Sequence, residues 1–251
     1  MTRFTTQQRH FNAAQAGEAN VFDIRGYQLF SQGEIGKAHH IAHAMFDAGD
    51  ITHGHQRLGE FLSQNHGEGS DWVHLQFHMA LFELELGEWQ AACARFWKEL
   101  LPTATNSLDA LTDAPALLWR LGMTAPEAVV LPWHPLRRTA MTALSHGNST
   151  FVQLHNLLAI AGAGDAVSIE NCSPVVATPG EHRLISDFSK FCTAIARRRF
   201  GEAGKRLSAL RPSLAQLDGS LAQLQLFDEL ERWIERKIQG QPAGMGYLNA
   251  A

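Results

Sequence analysis

The feature that most constrains this chain is a repeated turn. A glycine followed by an acidic residue recurs at Gln32-Gly33-Glu34, Ala48-Gly49-Asp50, Leu86-Gly87-Glu88, Ala163-Gly164-Asp165 and Phe200-Gly201-Glu202. Between these turns apolar residues fall at helical spacing, with no convincing period-two runs that would indicate strands. Glycine tolerates the left-handed backbone that ends a helix, so each turn closes one helix and opens the next. In Leu86-Gly87-Glu88-Trp89-Gln90-Ala91-Ala92, with Phe96 following, the small residues let a second helix approach closely and Phe96 fills the seam, as in a tetratricopeptide hairpin.

The expected fold is therefore all-α: a tetratricopeptide-like α-solenoid of antiparallel helical hairpins with a C-terminal capping helix. The pattern pairs helices 35–48 with 52–63, 71–86 with 88–101, 106–121 with 126–145, 150–162 with 165–170, and 182–199 with 201–210. A last helix over 219–238 closes the array, its apolar face formed by Leu221, Leu224, Phe227, Leu230, Trp233 and Ile234. Residues 22–240 are read as one repeat domain, 1–21 as a poorly ordered or loosely docked N-terminus, and 241–251 as a tail. Segments 64–70 and 172–181, rich in Gly, Asn, Ser and Pro, are read as loops.

Composition narrows the partners. With 21 basic against 25 acidic residues and a net charge of −4, the chain lacks the basic surface that phosphate backbones select, so no nucleic acid is expected. The three cysteines, Cys93, Cys172 and Cys192, are too scattered for a disulfide framework or a thiolate zinc site and read as reduced thiols. Residues 1–20 lack the apolar run of a signal peptide, and no stretch is apolar enough to span a bilayer. The expectation is a cytoplasmic protein with no membrane partner. Gly162-x-Gly164 follows no strand, so no nucleotide cofactor is expected, and no nucleophile elbow is present.

Thirteen histidines are the unusual count, and several are in register. His39 with His43, His74 with His78, and Asp109 with Asp113 are i, i+4 pairs, which share one helical face. Each pair lies 35 residues after the previous one, close to the tetratricopeptide period of about 34. His155 stands nine residues before Gly164, as His78 stands nine before Gly87. Counting back instead from Gly49, Gly87, Gly122 and Gly164 gives His40, His78, Asp113 and His155, which exchanges His43 for His40. His53, His55 and His66 sit near turns and read as surface residues; His134, His146 and His182 carry no functional expectation.

Neutral imidazoles at i, i+4 on facing helices chelate transition metals, and carboxylates from a third helix would complete the set. His39, His43, His74, His78, Asp109, Asp113 and His155 are thus candidate ligands for Fe, Mn or Zn, which would activate water or dioxygen or polarise a small substrate. A metal-free alternative uses His43, His78 and Asp113 as general acid, base and orienting carboxylate. Arg120 is a candidate clamp for a substrate carboxylate or partner of an aspartate, or else one half of a structural ion pair. Asp113 is equally a candidate N-cap for a helix starting at Ala114, because Pro115 suits a first turn.

The motifs taken together resemble the tetratricopeptide repeat protein 38 family. The resemblance is carried by His39-x-x-x-His43, by His74-x-x-x-His78 running on to Gly87, by Leu108-Asp109-x-x-x-Asp113-Ala with Leu117-Leu118-Trp119-Arg120-Leu121, and by Leu154-His155. Gly219-Ser220-x-Ala222-Gln223, leading to Phe227, is similar to the family's closing motif, although Leu221 and Leu224 stand where the family usually has His and Arg. Family members are typically longer at the N-terminus, so the chain reads as a trimmed version. The resemblance implies an α-solenoid with a polar inner pocket, without a reaction.

Two functions follow as expectations. One is an enzyme acting on a small molecule, metal-dependent or not. The other is an interaction scaffold holding a peptide or protein in its concave groove, against which the His and Asp lining argues, since such grooves favour Lys, Arg and Asn. A buried polar network that only sets repeat register is a third use of the same residues.

Overall fold

A computed structural model describes residues 34–240 apart from 108–110, 127–128, 147, 174–177 and 218. The readings made for the N-terminal segment, the tail, the turn at Gly33 and Asp109 lie outside these residues. Every regular element among the described residues is helical: α1 Glu34–Asp47, α2 Ile51–Gln64, α3 Gly69–Glu85, α4 Trp89–Arg95, α5 Leu101–Asn106, α6 Asp113–Thr124, α7 Trp133–Leu144, α8 Thr150–Gly162, α9 Ala166–Asn171, α10 Pro179–Ala196, α11 Phe200–Leu214 and α12 Leu221–Ile238. None is long and apolar enough to cross a membrane.

The helices pack in a regular succession. Helix α1 touches α3, α3 touches α6, α6 touches α8 and α8 touches α10, while α2, α4, α7, α9 and α11 each pack on a helix adjacent in the chain. Being enclosed on several sides, α3, α6 and α8 have long runs in which every residue is buried: Trp72 to Leu84, Asp113 to Leu121, and Gln153 to Ala161. A helix enclosed in this way is apolar nearly all round, so any polar side chain it carries is internal. Helix α12 returns to contact α11, α6 and α1.

The turns at Gly49, Gly87 and Gly164 have φ of 73°, 79° and 72°. At each, the glycine N–H donates to the carbonyl three residues back and the next N–H donates to the one five back, as with Gly87 to Leu84 (3.0 Å) and Glu88 to Glu83 (2.8 Å). This is the bonding that satisfies a helix C-terminus. Two glycine readings need correction. The turn expected at Gly201 lies at 197–199, where Arg198 takes φ 56° and makes the same bonds, to Ile195 and from Arg199 to Ala194; Gly201 is inside α11. Gly122, expected as a turn, lies inside α6.

The helix expected to stop at 101 continues to 106. Pro102 cannot donate to the turn behind it, and the chain accommodates it with a π turn, Phe96–Leu100, in which the Leu101 N–H reaches back to the Phe96 carbonyl. Consequently α6 begins at 113 rather than near 106.

Candidate metal centre

Helices α1 and α3 begin 35 residues apart, so His39 and His74, like His43 and His78, occupy equal positions on neighbouring helices. Ala38 and Ala42 keep α1 close on one side, and Leu75, Met79 and Phe82 of α3 pack with them in a small apolar cluster. Val73 and Phe77 of α3 belong to the main core. The four histidines form a polar seam between the two, with exposures of only 2, 8, 2 and 0% for His39, His43, His74 and His78.

Their rings converge. Nε2 of His39 lies 2.8 Å from Nε2 of His43 and 3.0 Å from Nε2 of His74, which lies 3.0 Å from Nε2 of His78. One nitrogen from each residue falls within 4.8 Å of every other. Four nitrogens at about 2.1 Å from one tetrahedral ion would be about 3.4 Å apart. Closing on a single ion would open the shortest edges by about 0.5 Å and draw in those edges, all within 4.8 Å, that exceed the tetrahedral spacing. These four buried histidines could hold a metal ion.

Behind His74 stands a carboxylate. Nδ1 of His74 is 2.6 Å from Oδ2 of Asp113, and Nε2 of Gln223 on α12 donates to Oδ1 of Asp113 at 3.3 Å. Because a carboxylate only accepts, the His74 proton sits on Nδ1 and a neutral ring presents a bare Nε2 lone pair to the cluster. Burial, and then the neighbouring imidazoles His74 and His43, hold the His39 pKa down to about 2. Burial followed by His74, His43 and His39 holds His78 well below the ordinary histidine range. Both rings are neutral at physiological pH, as metal ligands must be.

Mutual hydrogen bonding does not exhaust this arrangement. The Nε2 atom of His74 has one lone pair but faces the Nε2 atoms of both His39 and His78. His78 leaves its Nδ1 buried without a hydrogen-bond partner. A cation at the centre would use the four lone pairs together, which donor-to-acceptor pairing cannot.

No protein-family model matches the chain, and no solved structure matches it.

The remaining sequence candidates fall elsewhere. Asp113 is not among the four converging ligands; it is the first residue of α6, with Thr112 in the cap position and no side-chain cap bond, so the N-cap reading does not hold. The acid-base-carboxylate trio needs revision too, since Asp113 meets His74 rather than His43 or His78. Arg120 forms the structural ion pair: its Nε is 2.7 Å from Oε2 of Glu229, and its Nη2 donates to the Ala222 carbonyl at 2.6 Å, both on α12. His155 does not join the four. Its Nδ1 is bonded to the Phe151 carbonyl at 2.9 Å, its ring packs on Phe151 and Phe227, and burial takes its pKa down to about 4. His40, the alternative to His43, is exposed.

The sequence reading named Gln223 only within the closing motif and gave Glu229 no part. Ser220 and Gln223 form a capping box at the start of α12, a local arrangement whose residue types and spacing the sequence carries. The contact of Gln223 with Asp113, 110 residues earlier, has no such local signal.

Proposed function

We propose that this protein is a tetratricopeptide-like helical solenoid, akin to the tetratricopeptide repeat protein 38 family, that binds one divalent transition metal ion through His39, His43, His74 and His78 and uses it in small-molecule chemistry. The observation that carries the reading is the convergence of four buried imidazole nitrogens with one ring backed by a carboxylate. An all-imidazole set suits Zn or Fe better than Mn, which favours oxygen ligands. An ion held there would supply Lewis acidity or activate water or dioxygen. Asp113 fixes the tautomer and orientation of His74 and raises its basicity as a ligand. Burial of all four rings limits access to ligands the size of water or dioxygen, which favours small-molecule chemistry over a polypeptide partner. The position of α12 against α6 and α1 supports the same choice, because those inner helices are where a tetratricopeptide array would seat an extended peptide.

Protein purified without chelator is expected to carry about one equivalent of Fe or Zn by elemental analysis. The double change His43→Ala with His78→Ala should remove it while circular dichroism is unchanged. With free ion at 100 times Kd, binding adds about 2.7 kcal/mol of stability, which raises Tm by about 5–10 °C for a chain of this size. Absence of metal above trace, even after incubation with each ion, would refute the reading. Nitric oxide added to the Fe(II) form tests the chemistry: a paramagnetic adduct reports an open coordination position, and its absence assigns the ion a purely structural part.

A further inference from the structure

We infer that Gln223 is a positioning residue of the metal centre, through which docking of α12 and binding of the ion are coupled. The inference rests on the metal-binding reading above.

Gln223 is fully buried at the third position of α12. Its side-chain amide has one accepting and one donating end, and the two are committed differently. The Ser220 N–H donates to Oε1 at 3.1 Å, while the Gln223 N–H donates to the Ser220 hydroxyl oxygen at 3.3 Å, completing the capping box. With its oxygen held by the cap, the amide can present only Nε2 to Asp113, which it meets at 3.3 Å. Turning the amide over would break the cap and set oxygen against carboxylate, so the direction of this bond follows from the helix start itself.

Asp113 in turn holds His74 at 2.6 Å, and His74 presents Nε2 to the other rings. An unbroken line of polar contacts thus runs from the first turn of α12 to the ligand nitrogens. A second attachment lies one residue away, where Arg120 of α6 donates to the Ala222 carbonyl. Helix α12 also contacts α1, which carries His39 and His43. Loss of α12 docking would leave the Asp113 carboxylate without its Gln223 donor and release the restraint on His74. By thermodynamic reciprocity, an ion that needs the ordered geometry tightens the docking of α12 by the same factor.

The test uses the full chain with Co(II) as probe ion. Gln223→Glu keeps the cap, because Glu serves the third position of a capping box as well as Gln does, but it replaces the donor facing Asp113 with an acceptor. Gln223→Leu removes both interactions. Each is expected to weaken Co(II) binding by about tenfold or more and to shift the visible ligand-field bands of the bound ion. In the unaltered protein, Co(II) should slow amide exchange in the first turns of α12, residues 221–226, as well as in α1 and α3. A Gln223→Glu protein with unchanged affinity and spectrum, or exchange protection confined to α1 and α3, overturns the inference. Should a variant fail to fold, the exchange result on the unaltered chain decides alone. Failure of the unaltered chain to take up Co(II) would instead remove the metal-binding reading.

Discussion

Replacing Asp113 by Asn is the most informative single change, because shape is kept while one acceptor is lost. In the native site both carboxylate oxygens accept: Oδ2 from His74 Nδ1 at 2.6 Å and Oδ1 from Gln223 Nε2 at 3.3 Å. An asparagine has one oxygen for these two donors. If that oxygen turns to His74, two NH2 groups meet at Gln223. If it turns to Gln223, the amide NH2 faces His74, whose proton must move from Nδ1 to Nε2, the nitrogen that faces the other rings. That proton blocks ligation. Metal affinity should fall about 10- to 100-fold, equivalent to about 1.4–2.7 kcal/mol. The metal-free protein should lose about 1–3 kcal/mol from the unsatisfied buried donor. Competition against a chromophoric chelator measures the first quantity and urea denaturation with chelator the second. An Asp113→Asn protein that binds Zn or Co(II) as tightly as the parent would show that the carboxylate does not orient a ligand.

Two further outcomes are expected. Burial, aided by Arg120 and opposed by the Phe151 carbonyl and Asp113, lowers the folded-state pKa of His155 to about 4 from 6.5. Below pH 6.5 the unfolded chain therefore takes up a proton that the folded chain does not. Stability from this residue is complete above 6.5, is lost as pH falls towards 4, and is flat below that. The loss should reach about 3 kcal/mol, measured as the difference in urea stability between the parent and His155→Phe at pH 7 and pH 4; equal pH profiles would refute it. Arg120→Met strands Glu229 in a buried site, beside Glu85 whose pKa is raised by burial and then by the Glu229 charge, and should cost about 3–5 kcal/mol. Adding Glu229→Leu should recover much of that cost, and strictly additive losses would count against the pair.

The helical class and several of the turns were legible in the sequence because their signals are local. A glycine at a helix end needs only its own left-handed backbone, so Gly49, Gly87 and Gly164 marked their turns correctly. Where the signal was carried by an unusual residue or an unusual turn, the reading slipped. Arg198 adopted the glycine conformation and displaced the turn from Gly201, and Pro102 was absorbed by a π turn that lengthened one helix and delayed the next.

The candidate site divides along the same line. Spacing alone brought His39, His43, His74 and His78 together, because an i, i+4 pair shares a face and two adjacent helices that begin 35 residues apart place the pairs at equal positions. It could not rank the other polar residues. Asp113, Arg120 and His155 all lie on enclosed helices, and their partners come from other helices or from the turn behind them. Asp113 became the support of His74, Arg120 an ion pair with Glu229, and His155 a ring packed against Phe151 and Phe227. The Arg120 assignment and the Phe227 side of His155 depend on how α12 returns across the other helices, with Arg120 meeting the Ala222 carbonyl 102 positions away. Helical spacing carries no information over that distance; packing does.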